Sequence, residues 1–178
     1  GGGGGAGDGR TVAAGPEREG VGVTTPHTRQ APIALAAIAA GKHVHCEKPL
    51  APTAPQAREM AEAAEKAGVI TQVGFNYLKN PLIGLAHDIV ASGEIGEIVS
   101  FRGIHAEDYM ADAASPWHFR MDPAGGGGVV ADLGSHIIAI ARYLLGPLSA
   151  VCGRSETVIN KRPDAPGRDR MLAVDVVG

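Results

Sequence analysis

Short apolar runs and helical segments alternate through the first half of the chain. The five segments, strand-like and helical in turn, lie at residues 20–24, 31–40, 43–46, 55–67 and 69–75. Gly41 and Gly68 directly follow the two helical segments, at the position where glycine commonly ends a helix. A strand–helix–strand–helix–strand order predicts a parallel sheet with right-handed crossovers. This region is therefore predicted to be the second half of a doubly wound α/β domain.

The pattern changes after Asn76, and a domain boundary is predicted near residues 75–77. Apolar periodicity predicts helices, and alternation predicts strands, over residues 81–91, 97–105, 129–145 and 148–159, in the order helix, strand, helix, strand. Two polar segments, at residues 106–128 and 160–170, are predicted to be loops.

The two ends of the chain lack the patterning of the middle. Residues 1–20 are rich in glycine, and the formal G-x-G-x-x-G at Gly2, Gly4 and Gly7 has no strand before it and no amphipathic helix after it. We therefore expect residues 1–20 to be a disordered low-complexity leader. Residues 173–177 resemble a strand that stops as it begins. Both observations predict a fragment of a longer protein.

Composition excludes several classes of protein. The formal net charge of -3 argues against a dedicated nucleic-acid binder. No run approaches the roughly 18 apolar residues of a membrane span, and no secretory signal opens the chain. Two cysteines, Cys46 and Cys152, lie far apart and make neither a metal-spacing pair nor a disulfide framework. The expected location is the cytoplasm.

The segment Glu47-Lys48-Pro49 places two charges immediately after a predicted strand. In open α/β sheets, ligands bind outside the carboxyl ends of the strands, so Lys48 stands where a reacting group could be met. Its ammonium could stabilise negative charge that builds on a reacting oxygen. The alternative is an ordinary surface ion pair with Glu47, which contributes little.

Asp132 and His136 lie four residues apart on a predicted helix and so are expected to share a face. An imidazole can accept a proton near neutral pH, and a carboxylate one turn away can orient it. The run of glycines at residues 125–128 would let another backbone or a ligand approach closely. The alternative is a purely structural Asp–His contact, and the spacing by itself favours that alternative.

Metal binding is the remaining chemistry to consider, because the chain has seven histidines. His43 and His45 would lie on one strand face, as in some zinc sites. The other histidines are scattered without helical spacing, so no metal site is predicted. Cys46 is a poor candidate nucleophile, because burial in a strand raises the pKa of a thiol.

Together these segments resemble the Gfo/Idh/MocA oxidoreductase family, which includes glucose–fructose oxidoreductase and inositol dehydrogenases. The motifs that carry the resemblance, in family order, are T-T-P-H (24–27), A-G-K-H-V-H-C-E-K-P-L-A (40–51), V-G-F-N-Y (73–77), G-E-I-G-E-I (93–98) and G-G-G-V-V-A-D-L-G-S-H (126–136). The resemblance implies a partial Rossmann domain at residues 21–76. It also implies part of an α+β domain with an open, largely antiparallel sheet at residues 77–178.

The resemblance also implies an activity and a set of site residues. Hydride would pass between a sugar, inositol or related polyol and NAD or NADP. Lys48 would contact the reacting hydroxyl and the nicotinamide ribose, His136 would be the general base, and Asp132 would orient it. The positions matching those that line the cofactor are Thr25, Pro26, His27, Glu47, Lys48, Pro49, Asn76 and, in a loop, Trp117.

The sequence departs from the family pattern at specific places. His27 stands where the family has asparagine, and Ala139 where an acidic residue is frequent. The pattern begins about halfway through the Rossmann domain, so we expect this chain alone to be inactive. The family also implies a homo-oligomer when full length. The alternative functions are a non-catalytic relative or interaction module of the same fold and, less favoured, a metal-dependent hydrolase using His43 and His45.

Overall fold

The computed structural model describes residues 19–122, 127–165 and 168–171. These residues fall into two compact units, the first ending at Gly74 and the second beginning at Phe75. The division is adjacent to the boundary predicted near residues 75–77. We describe each unit by itself.

The first unit is a parallel sheet with helical crossovers. Its elements in chain order are β1 (Gly20–Val23), α1 (His27–Ala39), β2 (His43–Cys46), α2 (Ala54–Ala67) and β3 (Thr71–Val73). The strands are parallel in the order β1-β2-β3, with Val21 opposite Val44 and Cys46 opposite Val73. The predicted α/β fold class with a Rossmann-like parallel sheet is confirmed.

The core of this unit follows from the side-chain alternation along the strands. The buried strand residues pack with small residues of α1 and with two residues of α2, namely Val21, Val23, Ala31, Ala34, Ala37, Ile38, Val44, Cys46, Met60 and Ala64. Alanines at the contact let α1 lie close to the sheet. Gly68 ends α2 with a φ of 66°, a left-handed conformation that glycine adopts without strain.

The predicted bounds of two elements in this unit were wrong. Helix α1 begins at His27 rather than at residue 31, because the helical turn closes through a hydrogen bond from the Arg29 amide to the Pro26 carbonyl (2.8 Å). Pro32 therefore lies inside the helix. Strand β3 spans Thr71–Val73 and is shorter than the predicted 69–75.

The second unit is mainly helical in its described part. It contains a 3₁₀ turn (Asn76–Lys79), α3 (Pro81–Ala91), a 3₁₀ turn (Phe119–Met121), a π-helical turn (Val130–Gly134), α4 (Ser135–Leu145) and the strands β4 (Lys161–Ala165) and β5 (Arg168–Met171). Helix α3 has the predicted bounds, and the Asn80 side chain caps it by accepting a hydrogen bond from the Leu82 amide (3.0 Å). The predicted helix over 129–145 contains a π-helical turn that periodicity did not indicate.

Three strand and loop predictions for this unit were wrong. Residues 97–105 and 148–159 form no strand within the described residues, and Val99 is 95% exposed. Alternation alone does not make a strand, since a strand also needs a hydrogen-bonded partner. Residues 160–170 were predicted to be a loop, but β4 and β5 form an antiparallel pair there, with Arg162 opposite Arg170 and a register shift between Pro163 and Ala165. Such an irregularity accommodates a proline in a strand.

Two further predictions lie largely outside the described residues. These are the leader at 1–20, of which only residues 19 and 20 are described, and the strand at 173–177. Among the helices that the structure describes, none has the length and apolar character needed to cross a membrane.

Candidate functional site

The first unit gathers most of the predicted cofactor residues at one edge of its sheet. Thr25, Pro26 and His27 follow the carboxyl end of β1, and the Glu47-Lys48-Pro49 turn follows the carboxyl end of β2. Because β1 and β2 are parallel neighbours, both segments leave the sheet at the same edge. This is the edge at which open α/β sheets bind ligands.

Backbone and side-chain hydrogen bonds hold the Glu47 turn in place. The Glu47 amide donates to the Val23 carbonyl (2.9 Å), and the Glu47 carbonyl accepts from the Gln30 side chain (2.9 Å). The Glu47 carboxylate accepts from the Lys48 amide (3.1 Å), and the Lys48–Pro49 peptide bond is cis. Lys48 is thus carried on a backbone that is tied to β1 and α1.

Gly74 makes room for the Glu47 carboxylate. A Cβ atom at this position would lie 2.9 Å from Glu47 Oε1, closer than real Cβ atoms approach. The Gly74 amide also donates to the Cys46 carbonyl (2.8 Å), which fixes the end of β3 beside the end of β2. Packing in the first unit therefore explains why a glycine occupies this position of the V-G-F-N-Y motif, since a side chain would collide with Glu47.

Two buried oxygens near this edge have no hydrogen-bond partner within the described residues. They are Thr25 Oγ1 and Gln30 Oε1, and Gln30 is fully buried. Buried polar atoms are normally hydrogen-bonded, and an exception calls for an explanation such as a ligand or an ordered water. The hydroxyl of Thr25, at the carboxyl end of β1, therefore fits a position that a polar cofactor would line.

The remaining candidate groups of β2 are poor reactants. Burial, followed by the nearby Glu47 charge, raises the pKa of the Cys46 thiol to about 11, so the thiolate that would act as a nucleophile is scarce at neutral pH. His43 Nδ1 accepts a hydrogen bond from the Ile70 amide (3.0 Å). In the part of the chain that the structure describes, no three His, Cys, Asp or Glu residues are grouped to hold a metal ion.

His136 lies in an aromatic surrounding within the second unit. It is 6% exposed, and its ring makes edge contacts with Tyr77 (4.7 Å between centroids) and Phe75 (5.9 Å). The ring of His105 stacks on it at 5.4 Å with an interplanar angle of 17°, and His105 Nε2 lies 3.3 Å from a carboxylate oxygen of Glu107. The imidazole of His136 is therefore held by rings that fix its plane and limit its access to water.

Asp132 lies in the π-helical turn that precedes α4, the helix of His136. The Tyr109 hydroxyl donates a hydrogen bond to Asp132 Oδ2, and Arg120 Nε lies 3.2 Å from the same oxygen. The Ser135 hydroxyl donates to the Asp132 carbonyl (3.4 Å). Single π-helical turns inserted in α-helices are rare and frequently occur at functional sites.

Burial and the charges around Asp132 shift two neighbouring pKa values. Burial and then the hydrogen bond to Asp132 raise the pKa of Tyr109 well above its usual range, so this phenol stays protonated and donates. Burial and then the Arg120 guanidinium lower the pKa of His118 below its usual value, so His118 is neutral at neutral pH. The second unit therefore brings a neutral hydrogen-bond donor, Tyr109, and a cation, Arg120, to the carboxylate of Asp132.

Trp117 lies on the loop that also carries Tyr109 and Arg120. Its amide donates to the Pro163 carbonyl (2.7 Å), and the Arg170 guanidinium lies over its ring at 3.9 Å from the centroid. Its predicted contact with the cofactor stays a prediction, as do the roles assigned to the other site residues.

The structure brings the predicted residues together within each unit. Thr25 and Lys48 lie at one sheet edge of the first unit, and Asp132 and His136 lie on one helical segment of the second. Sequence reasoning missed Gln30, His105, Tyr109 and Arg120. His105 ends a stretch that alternates like a strand but forms none within the described residues, and Tyr109 and Arg120 lie between residues 106 and 122, so no local period relates these three to their partners. Gln30 is a polar residue on the buried side of α1, and this unusual position was the one available signal.

Two family models match nearly the whole chain. Residues 8–75 match an oxidoreductase family with an NAD-binding Rossmann fold, and residues 83–175 match a GFO/IDH/MocA C-terminal domain. The first match begins inside the segment that we predicted to be a leader. These matches confirm the predicted family and the predicted class of cofactor-binding domain.

Curated relatives include a levoglucosan dehydrogenase from Pseudarthrobacter phenanthrenivorans, 40% identical over 88% of this chain and 40% of the relative. A 1,5-anhydro-D-fructose reductase from Ensifer adhaerens is 40% identical over 76% of this chain and 41% of the relative.

Solved structures of similar proteins agree with these relatives. An NAD binding oxidoreductase from Klebsiella pneumoniae superposes with a TM-score of 0.90 at 42% identity, covering 95% of this chain and 45% of that one. A levoglucosan dehydrogenase in complex with NADH and levoglucosan gives 0.88 at 38% identity, covering 93% and 44%. The chain spans less than half the length of these relatives. The two family models, which together cover both units, show that the chain belongs to the GFO/IDH/MocA oxidoreductase family.

Proposed function

We propose that the protein is an NAD-dependent dehydrogenase that moves a hydride between the CH–OH group of a sugar or related polyol and the nicotinamide. The observation that carries the proposal is the Glu47-Lys48-Pro49 turn, which hydrogen bonds to β1 and α1 hold at the carboxyl edge of a parallel sheet. An ammonium group at this edge is placed to meet a ligand. The relatives support the substrate class, because they include a levoglucosan dehydrogenase and a D-xylose dehydrogenase.

The residues of the first unit fit a nicotinamide cofactor. The buried Thr25 hydroxyl, which has no partner among the described residues, would hydrogen-bond it, and the Glu47 turn would line it. The other first-unit residues assigned to the cofactor are Pro26, His27 and Pro49, and the sequence also assigns Asn76 and Trp117, which belong to the second unit. When bound, the cofactor supplies the hydride acceptor. Of the two nicotinamide cofactors, NAD is favoured, because a similar structure contains NADH.

The chain itself contributes charge stabilisation and proton transfer. The Lys48 ammonium stabilises the negative charge that builds on the substrate oxygen as its proton leaves. An imidazole nitrogen of His136 takes that proton, and the Asp132 carboxylate stabilises the imidazolium that results. The aromatic rings around His136 reduce its contact with water. A low-dielectric surrounding strengthens these electrostatic effects.

Assembly and location belong to the same proposal. We propose a cytoplasmic protein that uses no membrane and no nucleic acid and that forms homo-oligomers at full length. The support is the near-neutral net charge of -3 and the resemblance to the family.

The test is turnover with matched lysine variants. Reduction of NAD and NADP is measured with a panel of sugars and polyols, using this chain and the longest reading frame that contains it. Lys48→Ala should lower kcat by a factor of about 100 or more, as expected for loss of a charge that stabilises the transition state. Lys66→Ala removes the same charge from an exposed position in the last turn of α2 and should leave turnover unchanged.

Two outcomes would defeat the proposal. Unchanged turnover in Lys48→Ala would remove the assigned mechanism. Absence of NAD and NADP binding in calorimetry on the longest reading frame would instead favour a non-catalytic relative of the same fold. The metal-dependent hydrolase is not proposed, since the described residues group no metal ligands.

A further inference from the structure

A single irregular loop supplies both side chains that hold the Asp132 carboxylate. We call residues 106–122 the clamp loop. From this loop the Tyr109 hydroxyl and the Arg120 guanidinium both contact Asp132 Oδ2. Asp132 is only 13% exposed in its side chain, so these contacts are partly shielded from water.

We infer that Tyr109 and Arg120 are positioning residues, which fix the orientation of the Asp132 carboxylate. The inference rests on the proposed function, in which Asp132 supports the proton acceptor His136. The two donors, Tyr109 and Arg120, meet at one oxygen and so restrict the rotation of the carboxylate about the Cβ–Cγ bond. A guanidinium at 3.2 Å also stabilises the negative charge that Asp132 needs for this role.

The backbone ties the clamp loop to the helical segment of Asp132. The Gly128 amide donates to the Arg120 carbonyl (2.8 Å), and the Asp132 amide donates to the Gly128 carbonyl (3.0 Å). A Cβ atom at Gly127 would collide with the Arg120 carbonyl oxygen, so the backbones approach as closely as glycine permits. Hydrogen bonds of the main chain alone thus hold Arg120 close to Asp132.

The far side of the clamp loop is fixed by the hairpin of β4 and β5. Arg162 is fully buried, and its guanidinium donates to the carbonyls of Met110 and Asp112. The Trp117 amide donates to the Pro163 carbonyl. The loop is therefore held between the hairpin on one side and Asp132 on the other, which gives it the rigidity that a positioning role requires.

A double-mutant cycle tests whether Arg120 acts through Asp132. Steady-state kinetics are measured for Arg120→Met, Asp132→Asn and the double variant, with the cofactor and sugar that give turnover in the parent protein. Arg120→Met should lower kcat about tenfold or more, the usual effect of losing a partner that orients a functional group. KM for the cofactor should change less than about twofold, because Asp132 acts on proton transfer. In the Asp132→Asn background, the same change should cost little more.

Matched variants separate positioning from folding. Arg120→Lys keeps the charge and should recover part of kcat, and Tyr109→Phe should lower kcat by a smaller factor than Arg120→Met. Arg154→Met removes an exposed arginine of the second unit and should behave like the parent protein. If the effects of Arg120→Met and Asp132→Asn multiply in the double variant, Arg120 acts independently and the inference is overturned.

A stability measurement that needs no turnover distinguishes this inference from the proposed function. The free energy of unfolding is measured with urea for Tyr109→Phe, Asp132→Asn and the double variant. Because the Tyr109 hydroxyl and the Asp132 carboxylate are in contact, the double variant should lose less stability than the sum of the two single losses. Additive losses remove the contact and the inference with it. Coupled losses without any turnover in the longest reading frame overturn the proposed function, and with it the catalytic purpose of the clamp.

Discussion

Replacement of Gly74 by alanine should disturb Lys48 while costing little stability. Gly74 does not have a positive φ, so its backbone accepts an alanine without strain. The new methyl group would lie 2.9 Å from Glu47 Oε1 and 3.1 Å from Glu47 Cδ. Ordinary contacts begin at 3.4 Å, so the carboxylate must retreat by about 0.5 Å. That retreat breaks or lengthens the hydrogen bond from the Lys48 amide.

The net change in stability follows from two opposing effects. Loss of one partly buried hydrogen bond costs about 1 kcal/mol. The lower backbone entropy of alanine in the unfolded chain returns about 0.4–1 kcal/mol. We therefore expect the free energy of unfolding to change by less than about 1 kcal/mol, while kcat falls because the backbone that carries Lys48 is no longer fixed.

The assay combines thermal unfolding, amide exchange and turnover. The Lys48 amide should exchange with solvent faster in Gly74→Ala than in the parent protein, because it has lost its acceptor. Gly22→Ala is the control, since a Cβ at Gly22 meets nothing within 4 Å. Equal exchange of the Lys48 amide in parent and variant would refute the reasoning, as would an equal loss of turnover in Gly22→Ala.

Three further predictions concern single groups. Burial and then Arg120 lower the pKa of His118 in the folded protein, so the unfolded chain binds this proton more readily and the free energy of unfolding should decrease as pH falls below the usual pKa of 6.5. In an NMR titration, Arg120→Met should raise the pKa of His118, whereas Arg154→Met should leave it unchanged. Cys46 should react with iodoacetamide far more slowly than exposed Cys152 at neutral pH, as mass spectrometry would show, and comparable rates would contradict its burial and its pKa of about 11. Gly127→Ala should lower both the unfolding temperature and kcat, while Gly153→Ala, with open space around its Cβ position, should change neither; equal effects would contradict the close approach to Arg120.

The sequence by itself determined the first unit and its candidate chemistry. Alternation of side chains predicts β1 and β2, because it places the apolar residues of each strand on one face. The glycines that follow α1 and α2 predict where these helices end, because glycine adopts the positive φ found there. Lys48 could be identified because the sequence alone shows a charged residue between a predicted strand and a proline, which is an unusual arrangement. The motif pair around Lys48 and His136 then indicated the family.

Only the tertiary structure decided what holds those residues. Tyr109 and Arg120 reach Asp132 from an irregular loop, and loops carry no period from which a contact could be predicted. Residues 97–105 alternate like a strand but have no ladder partner within the described residues, whereas the polar β4 and β5 pair with each other despite Pro163. Strand pairing depends on which segments meet in space, so a local pattern is insufficient to predict it. Sequence thus identified the candidate site residues, and the fold determined which contacts they make.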